Sequence, residues 1–161
     1  MTQNLPYRPA AAVMLLNDRN KVFVAQRIDT ALDAWQMPQG GLDPDEEPLT
    51  GALRELEEET GIPPHLVEIL GKASRELLYE LPPELVGKLW KGKYRGQRQH
   101  WYAARFLGND EDVNLETEHP EFKAWRWVDA DKLVALIVPF KRKLYAAVIE
   151  EFAHLLTGVE R

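Results

Sequence analysis

Residues 40–62 read GGLDPDEEPLTGALRELEEETGI, and the second half of that stretch spells a helix with acid on one face. An α-helix turns about 100° per residue, so Glu55, Glu58 and Glu59, at i, i+3 and i+4, project together and bring three carboxylates within reach of one cluster of hard cations. Like charges at that spacing destabilise a helix, so a counter-ion is expected. Oxygen donors without His or Cys suit Mg²⁺ or Mn²⁺ rather than zinc. A solvated acidic face would explain the run ELEEE taken alone. It does not explain the flanking glycines and Arg54.

The rest of the stretch holds the helix in place. Pro44 and Pro48 bracket an acidic turn, and Pro48 suits the first helical turn, where its missing N–H costs nothing. Glu46 and Glu47 complement the positive end of the helix dipole. Gly61 stands where a left-handed residue stops a helix, and Leu49, Ala52, Leu53 and Leu56 form its apolar face. Arg54 lies beside the carboxylates, with Glu46 as its expected ion-pair partner, an arrangement that ties loop to helix.

These residues spell G-x5-E-x7-R-E-U-x-E-E-x-G-U, with U apolar, and at every position the pattern resembles the signature box of the Nudix hydrolases. Further blocks resemble the bacterial RNA pyrophosphohydrolase subgroup, also called (di)nucleoside polyphosphate hydrolases. They are Tyr7-Arg8-Pro9, Trp35 to Gly41, Gly96 to Trp101, Pro120-Glu121-Phe122, Trp125 to Val128 and Phe140-Lys141-Arg142. The box carries the superfamily; the outlying blocks carry the subgroup.

That resemblance implies an α/β/α sandwich around a mixed β-sheet, with the box as a loop-helix-loop unit. It implies metal-dependent removal of pyrophosphate from the 5′-triphosphate end of RNA, leaving 5′-monophosphate RNA and preparing transcripts for decay. The implied metal ligands are Glu55, Glu58 and Glu59 with the backbone carbonyl of Gly40. Glu121 is implied as a catalytic carboxylate approaching from a second loop, its alternative being a solvated rim residue. Arg27 and Phe140 are implied to sandwich a base, and Arg8 and Lys141 to meet phosphates. Arg27 as a strand end and Phe140 as core are the plainer readings of those two. Tyr79 is a further stacking candidate or a half-buried strand residue.

Mg²⁺ chemistry supports the reaction class independently, because divalent ions polarise phosphoryl oxygens and lower the pKa of an attacking water without a protein nucleophile. Free dinucleoside polyphosphates such as diadenosine tetraphosphate are the alternative substrate, sharing site, metal and chemistry. A catalytically silent nucleotide-binding module is disfavoured by the completeness of the box.

Periodicity outside the box predicts a hairpin from residues 8–16 and 21–27, and further strands within 66–81, 96–107 and 122–128. A short helix is expected over 84–89, and a second long helix over 140–156 with Leu144, Ala147, Val148, Phe152 and Leu155 inward. The strands and two helices predict one α/β domain spanning 1–161.

The chain has 161 residues, a formal net charge of −6 and no cysteine. Cysteine nucleophiles, cysteine zinc sites and disulfides are therefore excluded. No run approaches the roughly 18 apolar residues of a membrane helix, and the N-terminus lacks a secretory pattern, so the cytoplasm is expected. The acidic balance argues against a general nucleic-acid coat, and neither DNA nor a membrane is an expected partner. Between Lys88 and Arg98, however, Lys88, Lys91, Lys93, Arg95 and Arg98 interleave with Trp90 and Tyr94 without an acid. Such a loop suits a polyphosphate or an RNA 5′ end, and a solubilising loop tip is its alternative. Trp35, Trp101, Trp125 and Trp127 are expected in packing, and the four histidines show no ligand spacing.

Overall fold

The computed structural model describes residues 5–29 and 33–156. Seven strands form one sheet: β1 (Tyr7–Leu16), β2 (Val22–Arg27), β3 (Gln39–Gly41), β4 (Val67–Lys72), β5 (Leu77–Glu80), β6 (Gly96–Phe106) and β7 (Phe122–Val128). Its main path is β4-β6-β1-β2-β7, with β3 on β1 and β5 on β6. β1 and β6 run parallel over ten residues, from Tyr7↔Gly96 to Leu16↔Arg105, while every other pairing is antiparallel. The sheet is therefore mixed and the class is α/β.

β1 reads YRPAAAVMLL, an almost unbroken apolar run, because both faces of this central strand are covered. Successive side chains alternate between faces. Ala11, Val13 and Leu15 join the layer containing Ala52, Leu56 and Ile62 of helix α1 (Pro48–Thr60) and its exit. Ala12, Met14 and Leu16 join the layer beneath α2 (Leu133–Leu136) and α3 (Arg142–Glu151), which contributes Leu144, Tyr145 and Val148. Helices thus cover both faces, as expected. Leu56 is 1% exposed, and burying it stabilises the α1 contact by about 2 kcal/mol.

Three local expectations are corrected. Residues 84–89 form turns rather than a helix, because Gly87 takes a left-handed φ of 91° and breaks the run. The helix expected over 140–156 is divided: α3 ends at Glu151, Phe152 leaves helical geometry at φ −108°, ψ 14°, and α4 (Ala153–Leu156) follows. Phe152 itself is buried in the core, so the apolar spacing persists across the break. Leu49 is 38% exposed and contributes little to the buried face of α1.

Candidate active site

The box places its residues through β3 and α1. β3 lies antiparallel against β1 with Ala10↔Gly41, Ala11↔Gly40 and Ala12↔Gln39 in register. Pro48 opens α1, and Gly61, at φ 75°, closes it with its N–H donating to Glu57 O. A methyl group built on Gly40 would overlap the Glu55 carboxyl group and stand 2.7 Å from its Cγ. One built on Gly41 would overlap the Arg8 guanidinium, 2.6 Å from Cζ. The paired glycines are thus shelves on which a carboxylate and a cation lie against backbone.

Arg54 joins loop to helix as expected. Its Nε and Nη2 donate to the two oxygens of Glu46 at 2.7 and 2.8 Å, and Nη2 also donates to Gly41 O at 3.0 Å. Its Nη1 reaches Glu55 and Glu58, each at 2.9 Å. The Arg54 bonds, with a backbone N–H from Asp43, hold Glu46 at a pKa of about 2.

Glu59 is 2% exposed and accepts a hydrogen bond from Gln39 N at 3.0 Å. Its proton affinity is raised well above the usual carboxylate range, first by burial and then by Glu121, which lies within hydrogen-bonding reach, and by Glu55. Burial also raises the Glu55 pKa, against the pull of Arg54. The expected second-loop carboxylate, Glu121, therefore lies beside Glu59 and within electrostatic reach of Glu55.

Among the described residues no three acid or imidazole groups converge at metal-coordinating distance. Arg54 draws Glu55 and Glu58 toward itself, and Gln39 N holds Glu59. The donor chemistry nonetheless fits a hard cation. It is oxygen-only, it crowds repelling carboxylates into a buried corner, and the neighbouring Gln39 Oε1 is buried without a hydrogen-bond donor.

A cleft of about 500 Å³ collects most of the sequence-predicted residues: Arg8, Arg27, Gly40, Glu55, Glu121, Phe140 and Lys141 line it. Glu59 lies buried behind its wall, and exposed Glu58 stands beyond its lining. Arg27 is held flat by Asp29, which accepts from its Nε at 2.8 Å and raises its pKa. Phe140 is half-buried, tilted against Tyr79 with ring centroids 5.9 Å apart, so it is both packing and cleft wall. Arg27, Phe140 and Lys141 also border an adjoining apolar hollow of about 340 Å³ with Leu85, Leu89, Ile137 and Val138. Lys141 Nζ lies 5.1 Å from the Tyr79 ring centre, and burial, aided by Arg27, lowers its pKa to about 8.

The basic loop divides in function. Trp90 lines the cleft with Arg8 stacked on it, Cζ to ring centre 5.3 Å. Arg95 is paired with Glu80 and Arg98 with Glu76, which leaves Lys88, Lys91 and Lys93 as the exposed cations of this run. Trp101 sits in the core, and Trp125 and Trp127 pack on Phe23, as expected. Of the histidines, His100 pairs with Glu76 and none lines the cleft. Sequence reading missed Gln39, Asp29 and Gln97 as cleft residues. The period-two run Gln97, Gln99, Trp101 in a buried strand was the available signal for the last.

Residues 6–148 match the NUDIX domain family. A protein of Sphingopyxis alaskensis named RNA pyrophosphohydrolase is 57% identical over 152 residues, covering 94% of this chain and 96% of that one. One of the same name from Rhodospirillum rubrum is 57% identical over 149 residues, covering 92% and 88%. Among solved structures, the E. coli dihydroneopterin triphosphate pyrophosphohydrolase superposes with a TM-score of 0.70 at 20% identity, covering 92% of this chain and 99% of that one. The C. elegans Ap4A hydrolase binary complex gives 0.66 at 22%, covering 91% and 98%. At those identities the two structures speak to the fold alone. Hydrolases of the family use divalent cations, which agrees with the oxygen donors gathered here. With a complete box on β3 and α1, a family match over most of its length and relatives above half identity, the chain belongs to the Nudix family.

Proposed function

We propose that this chain hydrolyses the 5′-triphosphate end of RNA, releasing pyrophosphate and leaving a 5′-monophosphate end, with Mg²⁺ as the working cation and transcript decay as the consequence. One observation carries the reading beyond the family: the carboxylate corner and a cationic, aromatic clamp share one cleft. The 57%-identical relatives named RNA pyrophosphohydrolase support the same substrate.

Glu55, Glu58, Glu59 and the Gly40 carbonyl would hold the cation, which offsets charge on the phosphoryl oxygens and on departing pyrophosphate. Arg8 and Lys141, which line the same cleft as Glu55, bind the polyphosphate and oppose its charge. Arg27, pinned by Asp29, and the Phe140 ring offer flat surfaces to a nucleobase beside the apolar hollow. To Glu121, next to Glu59, we assign the proton of the attacking water.

The test is a side-by-side measurement of kcat/KM on 5′-triphosphorylated RNA and on diadenosine tetraphosphate, with Mg²⁺. Preference for RNA, with pyrophosphate and 5′-monophosphate RNA as products, is the expected result. A clear preference for the dinucleotide would overturn it.

A further inference from the structure

Gln97, Gln99 and Trp101 alternate along β6 and share one face of the sheet, each 1% exposed. Their hydrogen bonds have a direction imposed by chemistry. An indole can only donate. Trp101 Nε1 donates to Gln99 Oε1 at 2.7 Å, so the Gln99 carboxamide cannot be turned the other way. Its Nε2 in turn donates to Gln97 Oε1, also at 2.7 Å. The acceptor of Gln97 is thereby used, and its NH₂ is left at the end of the chain. Among the described residues no group accepts from that nitrogen, yet Gln97 lines the cleft.

The register across the sheet places this amide among the clamp residues. Gln97 stands between Arg8 on β1 and Tyr79 on β5, in one row of directly paired residues. A buried carboxamide whose oxygen is occupied and whose hydrogens face a cleft selects for an acceptor. Beside Arg8, that acceptor is an anionic oxygen.

We infer that Gln97 is a phosphate-binding residue, its NH₂ aimed at a non-bridging oxygen of the substrate polyphosphate, and that Trp101 is the positioning residue that fixes the aim through Gln99. The inference rests on the polyphosphate reading of the same cleft. It adds a neutral donor to a clamp otherwise made of cations, so its contribution persists at pH values where Lys141 loses its proton.

A hydrogen bond to a charged oxygen is worth about 1.5–3 kcal/mol, equivalent to roughly 10- to 100-fold in binding. Gln97→Met removes the donor at similar size and should raise KM for triphosphorylated RNA at least about tenfold while kcat stays within about twofold. Gln97→Glu retains an acceptor for Gln99 but turns an oxygen toward the phosphates, and should lose more. Trp101→Phe leaves Gln97 in place but frees the amides to turn, and should raise KM by a smaller factor. The direct readout is ¹⁵N NMR of the side-chain amides of the wild-type protein, with the Gln97 pair identified by its absence in Gln97→Met. Titration with adenosine 5′-(α,β-methylene)triphosphate and Mg²⁺ should shift that pair saturably. An unmoved amide at saturation, or an unchanged KM in a folded Gln97→Met, would overturn the inference. If the wild-type protein ignores triphosphorylated RNA but the amide still shifts, the RNA reading fails and the phosphate donor stands.

Discussion

Gly40→Ala isolates the position of one carboxylate from the stability of the fold. Gly40 pairs with Ala11 in β3, and its backbone is not left-handed, so alanine carries no conformational penalty there. The added methyl would overlap the carboxyl group of Glu55 and stand 2.7 Å from its Cγ. Ordinary contact between carbons begins near ~3.5 Å, so the Glu55 carboxylate must retreat by about 1 Å or more. The group displaced is the far end of a flexible side chain, which keeps the structural cost small. Misplacement of a reacting constellation by ~1 Å costs on the order of a hundredfold in rate. Steady-state hydrolysis of triphosphorylated RNA at saturating Mg²⁺ should therefore show kcat lowered about a hundredfold. The melting temperature should stay within a few degrees of wild type, given about 2–4 °C per kcal/mol for a chain of this size. Wild-type turnover in a folded Gly40→Ala protein would refute the claim that Glu55 must lie against the Gly40 backbone.

Other outcomes follow from the same geometry. Chelation with EDTA should abolish hydrolysis and added Mg²⁺ restore it, and Glu58→Gln, on an exposed part of α1, should lower kcat by roughly a hundredfold with an unchanged circular dichroism spectrum. Lys141→Met should separate stability from affinity. Burial holds the lysine pKa near 8, below its unfolded value, so at neutral pH the charged form opposes folding; the lysine's contribution to stability rises as pH increases from about 8 to 10.5. The variant should melt several degrees higher at pH 7 and bind triphosphorylated RNA more weakly, and the wild-type KM should rise above pH 8. Phe140→Ala should raise KM for RNA about tenfold through lost stacking, and a KM unchanged alongside a large drop in melting temperature would assign Phe140 to packing alone. Neutralising Lys88, Lys91 and Lys93 together should raise KM for RNA and flatten its salt dependence, with little effect on diadenosine tetraphosphate, because only RNA carries backbone phosphates beyond the terminal nucleotide.

The parts of the molecule legible in sequence are those written by neighbours in sequence. α1 announces itself through Pro48 at its start, Gly61 at its end and the i, i+3, i+4 carboxylates between them, all within one stretch. β1 and β2 announce themselves as apolar runs on either side of Asn17 and Asn20, whose turn is closed by Asn17 Oδ1 accepting from the Arg19 and Lys21 N–H groups. The turns at 84–89 were hidden because nothing local distinguishes Gly87 as a tolerated helical glycine from Gly87 at φ 91°. The break at Phe152 was hidden for the opposite reason: its side chain satisfies the helical pattern, and only the backbone departs from it. Gln97 and Gln99 were hidden because glutamine in a strand ordinarily faces water, and their burial depends on the indole of Trp101 satisfying them in series.

Arg54 shows how the two kinds of information meet. Sequence spacing suggests Glu46 as its partner, and the fold adds four more: Gly41 O, Glu55, Glu58 and, at 3.7 Å, Asp43. These contacts are not equivalent. Nε and Nη2 are committed to Glu46 and the β3 backbone in a paired, partly buried geometry, whereas Nη1 is shared between Glu55 and Glu58, and Glu58 is exposed. A bidentate guanidinium contact is oriented and persists; a single exposed contact is worth a few tenths of a kcal/mol. On the proposed reading, a divalent ion would compete with Arg54 at Nη1, whose contact with Glu58 is exposed and whose contact with Glu55 is partly buried. Glu55 and Glu58 would then turn from Nη1 to the ion while Nε and Nη2 keep the loop fastened to the helix, so the arginine that neutralises these acids would not have to leave for them to work.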